Sequence, residues 1–195
     1  MAIARPGTTI LPFAGKTPRI DDSAFIAPGV RIIGDVEIGP DSSIWYNCVL
    51  RGDVNRIVIG ARTNIQDGTV VHCDGPDGRH PGGYPTLIGD DVLIGHLAMI
   101  HGCTLADRAF VGLSATVMNG CTVESDGMLA ANAMLSPGKT VGSRQLWIGS
   151  PAKYARDLND AAVAEIQGGV ARYVENGRAH FAALAALEGD GTGQG

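Results

Sequence analysis

Residues 105–141, LADRAFVGLSATVMNGCTVESDGMLAANAMLSPGKTV, carry an aliphatic side chain at every sixth position: Leu105, Val111, Val117, Val123, Leu129, Leu135 and Val141. An unbroken six-residue period predicts a solenoid in which each segment is one short strand and three segments make one triangular coil. Coils stack through parallel strands about 4.8 Å apart. The interior of such a prism is dry and aliphatic, and its open ends need caps.

The period extends outward in both directions. Trp147 closes it on the C-terminal side. Upstream, a five-residue step leads back to Ile100, Ile94 and Ile88, and a 17-residue gap to Val71, Ile65 and Ile59. A nine-residue step then reaches Leu50, Ile44, Ile38, Ile32 and Ile26. The fourth residue after most of these is small or β-branched, among them Ser42, Cys48, Thr63, Thr69, Ala98, Thr104, Ala115 and Cys121. This is the second inward position of each rung, where only a small side chain fits the corner. Cys48 and Cys121 are therefore read as packing residues. The composition agrees, with 28 glycines and 5% aromatics.

The fold class expected is mainly β, a parallel β-helix over residues 1–153 with an N-terminal lead-in and a loop inserted at 73–86. A C-terminal α-helix is expected within 154–188, N-capped by Asn159 or Asp160 and bent or broken at Gly168-Gly169 and Asn176-Gly177. Residues 189–195 read as a disordered tail. Fifteen basic against twenty acidic residues, net −5 and without a Lys/Arg run, argue against nucleic acid as a partner. No stretch approaches a membrane span and MAIARPGTTILPFAG is no signal peptide, so the expected location is cytoplasmic. Four scattered cysteines without a CxxC pair make no disulfide framework.

The five histidines gain meaning from the rungs. If the step from Val71 to Ile88 counts as one face with a loop at its corner, then Leu50, Val71 and Ile100 share a face on successive coils. Arg51, His72 and His101 then stack, and His72 and His101 can point at one metal ion. His96 follows Ile94 on the preceding face and cannot easily turn to the same ion, but a neighbouring chain's His96 can. A three-sided prism suits a cyclic homotrimer with three intersubunit sites. Asn64, Gln66 and Asp67, which precede His72 in the chain, are expected near the same corner, as are Arg51 and Asp53. Each also fits ordinary turn chemistry, and Arg51 and Asp53 a surface ion pair. Cys73 and Cys103 neighbour two candidate ligands and stand as rivals for a closed structural zinc site. His80 belongs to the loop and His180 to the helix.

The segments RGDVNRIVIG, TNIQDGTVVH, IGHLAMIHGC and IGSPAK resemble the γ-class carbonic anhydrases and their bacterial homologues over residues 10 to 185. The resemblance implies a left-handed β-helix and a trimer with metal at the subunit interfaces. By position it implies His72, His96 and His101 as ligands of Zn²⁺, with Fe²⁺ or Co²⁺ accepted by the same imidazoles. Gln66 is similar to the residue that orients hydroxide or CO2, Asp67 to its hydrogen-bonding partner near bicarbonate, and Asn64 to a supporting residue. Arg51 and Asp53 are similar to the charged pair tying subunits together. The activity implied is hydration of CO2 to bicarbonate by hydroxide generated on the metal. Val54 stands where active members carry Glu, and loop 73–86 has no Glu, which leaves His80, Tyr84 or buffer to carry protons. Two other functions fit a prism of this kind: CoA-dependent acyl transfer with a single His base, and a non-catalytic scaffold stapled by metal.

Overall fold

The computed structural model describes residues 7–190. They form a triangular parallel β-helix flanked by one long α-helix. The rungs predicted from the six-residue period pair in register on three faces. Ile32, Leu50, Val71, Ile100, Val117 and Leu135 stack on one face. Ile38, Ile59, Ile88, Leu105, Val123 and Val141 stack on the second. The third carries Ile26, Ile44, Ile65, Ile94, Val111, Leu129 and Trp147. Two earlier rungs lie below the first predicted one, with Ile10 beside Ile32 and Ile20 beside Ile38. Nearly all these side chains are fully buried, each stabilising the fold by about 1.5–3 kcal/mol.

The small inward residues also satisfy the backbone. Ser42 donates to Gly60 O (2.6 Å), Thr63 to Gly89 O (2.8 Å) and Thr69 to Gly95 O (3.0 Å), so each hydroxyl caps a carbonyl of the next coil. Cys48 and Cys121 do the same with Gln66 O and Ser136 O, both at 3.1 Å. A buried polar group is affordable here because it is paired.

The irregular steps have distinct causes. The nine-residue step is one strand, Val49–Ile59, that runs around a corner beside strand Arg31–Ile38 and merges two faces into a 12-stranded sheet. Gly52 sits at that bend, where a Cβ would lie 2.5 Å from Asp35 O. The 17-residue gap is a loop that leaves after His72 and rejoins at strand Thr86–Ile88, beside Ile59, so it does count as one face. The five-residue step corrects one expectation: Thr104 is exposed, and Cys103, 2% exposed, fills the inward corner instead. A shortened rung moves its inward position back by one residue.

Corners are turned by residues in the left-handed region. One edge carries Asp41, Arg62, Asp91, Arg108, Asp126 and Arg144 on successive coils, all with φ between 54° and 62°. Arg62 holds Asp91 through two bonds of 2.7 Å, and Arg108 holds Asp126 at 2.8 and 3.0 Å.

At the C-terminal end, Gln145–Ile148 pairs antiparallel with Lys153–Asp157, which adds an exposed edge strand to the sheet of the third face. The helix spans Asp160–Asp190, its first turn capped by Asn159 Oδ1, which accepts from Ala162 N at 2.9 Å. It does not break at its glycines. Gly169 and Gly177 are buried where it lies against the third face, and a Cβ on Gly177 would lie 3.4 Å from Ser43 Cβ and 3.5 Å from Phe25 Cβ. Glycine here permits a close approach. Tyr173 and His180 pack on Trp45 at 5.4 and 4.9 Å. Gly189 and Asp190, expected in a disordered tail, continue the helix, and the remainder of that tail, 191–195, lies outside the described residues. No described helix is long and apolar enough to cross a membrane.

Candidate metal centre

The site residues expected from sequence fall into two groups on different corners. The first follows Val71 and Ile100. His72 and His101 occupy paired positions on adjacent coils, with His72 Nδ1 3.0 Å from His101 Nε2 and ring centroids 5.0 Å apart. Asp53 accepts from His72 Nε2 at 3.0 Å and from Arg51 Nη1 at 2.5 Å. Burial raises the affinity of the Asp53 carboxyl for a proton, but these two donors outweigh it and hold the group below the usual carboxylate range. Since a carboxylate only accepts, Asp53 fixes the proton of His72 on Nε2 and turns the Nδ1 lone pair toward His101.

The second group lies at the corner after Ile65 and Ile94, and this corrects the expectation that all the polar residues share one corner. The strand Asn64–Ile65 pairs with Leu93–Ile94, not with the coil edge that carries His72. Asp67 therefore stacks on His96, with His96 Nδ1 2.7 Å from Asp67 Oδ2. Buried Gln66 donates from Nε2 to Asn64 Oδ1 at 3.1 Å, and Asn64 Nδ2 donates to Val92 O at 3.4 Å. These bonds orient the Gln66 amide with its oxygen as the remaining acceptor. Leu97, next to His96, is 67% exposed on a left-handed backbone, with exposed Leu113 and Met99 nearby in the stack.

Each group thus pairs imidazole with carboxylate, and among the described residues of one chain no three ligating side chains converge. The two imidazoles that converge within one chain could supply two ligands of a divalent ion. Two nitrogens on a tetrahedral zinc, each 2.0–2.1 Å from it, lie about 3.3 Å apart, so the His72–His101 pair needs to open by only a few tenths of an ångström. The cysteines do not compete. Cys73 and Cys103 point into the prism; burial pushes the Cys73 thiol up to about 11 and Cys103 higher still, which leaves both protonated.

Two polar residues near the first group were not anticipated. Asn119 Oδ1 lies 2.6 Å from His101 Nδ1, and Asn119 Nδ2 donates to Asp74. Asn119 falls one coil beyond Gly102 in the rung count, a position the sequence does contain, but its partner Asp74 reaches it only through the path of the loop. Both line an open cleft of about 460 Å³ with Asp77, His80, Tyr84 and Pro137. His80 stacks on Tyr84 at 4.5 Å there, with Nδ1 3.4 Å from Asp77 Oδ2.

Comparison with known proteins now bears on this arrangement. The family described as bacterial transferase hexapeptide (six repeats) matches residues 17–52. A carbonic anhydrase of Geobacillus kaustophilus is 37% identical over 87% of this chain and 89% of its own length. Gamma carbonic anhydrase 1, mitochondrial, of Arabidopsis thaliana is 44% identical over 89% of this chain. The chain belongs to the γ carbonic anhydrase family. It spans 63% of that plant relative's length. Among solved structures, a hexapeptide transferase family protein from Anaplasma phagocytophilum has a TM-score of 0.82 and 44% identity, covering 88% of this chain and 97% of the other. Within the γ carbonic anhydrase fold, then, the two carboxylate-backed histidine groups stand on separate corners of one prism.

Proposed function

We propose that the protein is a zinc-dependent carbonic anhydrase that hydrates CO2 reversibly to bicarbonate at three equivalent sites of a homotrimer. The observation that carries this reading is the splitting of the ligands: His72 and His101 converge, while His96 stands on another corner with its own carboxylate. A second copy that lays its His96 corner against this chain's His72 corner completes a three-imidazole set. The same contact covers Leu97, Leu113 and Met99, whose exposure is otherwise costly, and Val54 beside Asp53. Four buried free thiols suit a reducing compartment such as the cytoplasm.

Zinc held by three neutral ligands with an open position would lower the pKa of a water molecule to about 7. The chain's own residues do the rest. Asp53 and Asp67 hold His72 and His96 with one nitrogen free each and strengthen them as ligands. Gln66, fixed by Asn64, offers its amide oxygen to orient the attacking oxygen beside Asp67. No Glu lines the described cleft, so protons leave by way of buffer or His80.

The test is metal content and stopped-flow CO2 hydration for wild type, His72→Ala, His96→Ala and a refolded mixture of the two variants. Each variant alone should lose metal and turnover. A mixed trimer has one interface that receives His72 and His101 from one chain and His96 from the other, so the mixture should regain both. A wild-type protein without metal, or a mixture as empty as its parents, would refute the shared site. Metal without turnover at any buffer concentration would leave a scaffold. Acyl transfer is the second reading, favoured by the exposed His96–Asp67 pair, which could serve as a base; it predicts acyl-CoA binding that survives His72→Ala.

A further inference from the structure

We propose that Asn119 and Asp74 form a positioning pair that fixes the tautomer of His101 so that its lone pair faces that of His72; this rests on the metal-site reading above. The argument begins at Asp74. Its carboxylate accepts a hydrogen bond from Asn119 and has no proton to give in return. Only the Nδ2 end of the Asn119 amide carries hydrogens, so the amide cannot flip. Its oxygen therefore faces His101 Nδ1 at 2.6 Å, and the proton of His101 resides on Nδ1. Nε2 is left unprotonated.

Asp53 has already placed the proton of His72 on Nε2, which leaves Nδ1 unprotonated. Two lone pairs then meet at 3.0 Å. Without Asp74, Asn119 could turn its NH2 toward His101, which would then donate from Nε2 to His72 in an ordinary hydrogen bond. The pair of outer residues thus removes the arrangement that would satisfy the two rings without a cation.

The surroundings keep this pair in place. Asp74 closes the base of the loop through two backbone bonds with Tyr84, of 3.0 and 2.8 Å, and Asn55 Nδ2 donates to its carbonyl at 2.8 Å. Asn119 crosses over Gly102, where a Cβ would stand 2.6 Å from Asn119 Oδ1 and 2.7 Å from Tyr84 Cβ. Gly102, at φ +54°, is the space through which Asn119 reaches the ring.

The first experiment is ¹⁵N NMR of the imidazoles in metal-free, full-length protein, with His101 assigned by comparison with His101→Gln. His101 should be protonated at Nδ1 in wild type and revert in Asn119→Leu to the Nε2 form that imidazole prefers in water. The second is zinc affinity by chelator competition. Asn119→Leu should bind about 10–100-fold more weakly. Asn119→Asp alone sets two carboxylates together and should also be weak, whereas Asp74→Asn/Asn119→Asp reverses the pair, keeps the acceptor toward His101 and should restore most of the affinity. Nε2 protonation of wild-type His101, or wild-type affinity in Asn119→Leu, would overturn the proposal, as would a double variant no better than Asn119→Asp. If wild type binds no zinc, the metal reading fails by itself, and the tautomer measurement still decides this one.

Discussion

Gly177→Ala should stabilise the protein, although Asn176-Gly177 looks like a helix breaker. The residue lies inside the continuous helix Asp160–Asp190, and its φ is outside the left-handed region, so alanine relieves a backbone entropy cost of about 0.8–1.0 kcal/mol. The added methyl would lie 3.4 and 3.5 Å from Ser43 Cβ and Phe25 Cβ, ordinary contact distances that need no movement of the wall. A net gain of about 1 kcal/mol corresponds to a rise of about 2–4 °C in Tm for a chain of this size. Thermal unfolding at fixed protein concentration is the assay, because association would make Tm depend on concentration. Gly168→Ala is the control: its methyl would meet only Arg172 Nη1 at 3.7 Å, so it reports helix propensity without the wall. If Gly168→Ala raises Tm and Gly177→Ala lowers it, the helix lies tighter against the prism than described. If both lower it, the helix is interrupted at its glycines and the reasoning is wrong.

Removing the cap in Asn159→Ala should cost about 1 kcal/mol, seen as a lower Tm with the loss confined by hydrogen exchange to the first helical turn. Ellman's reagent at pH 8 should find no reactive thiol in the native protein and four after denaturation, since burial holds Cys48 up at about 12 and Cys73 at about 11; rapid native labelling would contradict the inward placement. Asp77 accepts from the backbone N–H groups of His80 and Arg79, which holds its carboxyl below the usual range. Its contribution to loop order is therefore complete above the unfolded value near 4 and is lost as pH falls through the lower folded one. Exchange protection at Arg79 and His80, corrected for intrinsic rates, should fall along that acid limb, and Asp77→Ala should lack the limb.

The stacking of His72 on His101 was legible because three aliphatic rungs, Leu50, Val71 and Ile100, fix the phase of the residues that follow them. Phase alone also separated His96 from that pair. Nearness in sequence to His72 is what misplaces Asn64, Gln66 and Asp67, since a corner and a strand intervene and the phase of Ile65 puts them with Ile94. Thr104 was misassigned for a related reason: a rung shortened by one residue shifts its inward position, and only the burial of Cys103 reveals which residue moved. The helix glycines were misread because composition cannot tell a turn from a close approach. Asp74 could not be found at all, since a loop of this length has no period from which to infer its path.

The edge of alternating charge has a consequence for how such a chain finds its register. Aliphatic rungs are nearly interchangeable, so a nascent prism could skip a coil and still bury a plausible interior. A slip of one coil, however, would bring Asp91 onto Asp126 with Arg108 expelled, and a like-charged contact at 4 Å opposes it by about 1 kcal/mol in water and about 4 at an effective dielectric of 20. The same slip expels three aliphatic rungs at about 1.5–3 kcal/mol each, so burial and charge oppose it together, whereas a slip of two coils restores opposite signs and is opposed by the loss of six rungs alone. The Asp and Arg column thus adds to a one-coil slip an electrostatic penalty on top of the burial that is lost, and it falls at the edge rather than in the interior.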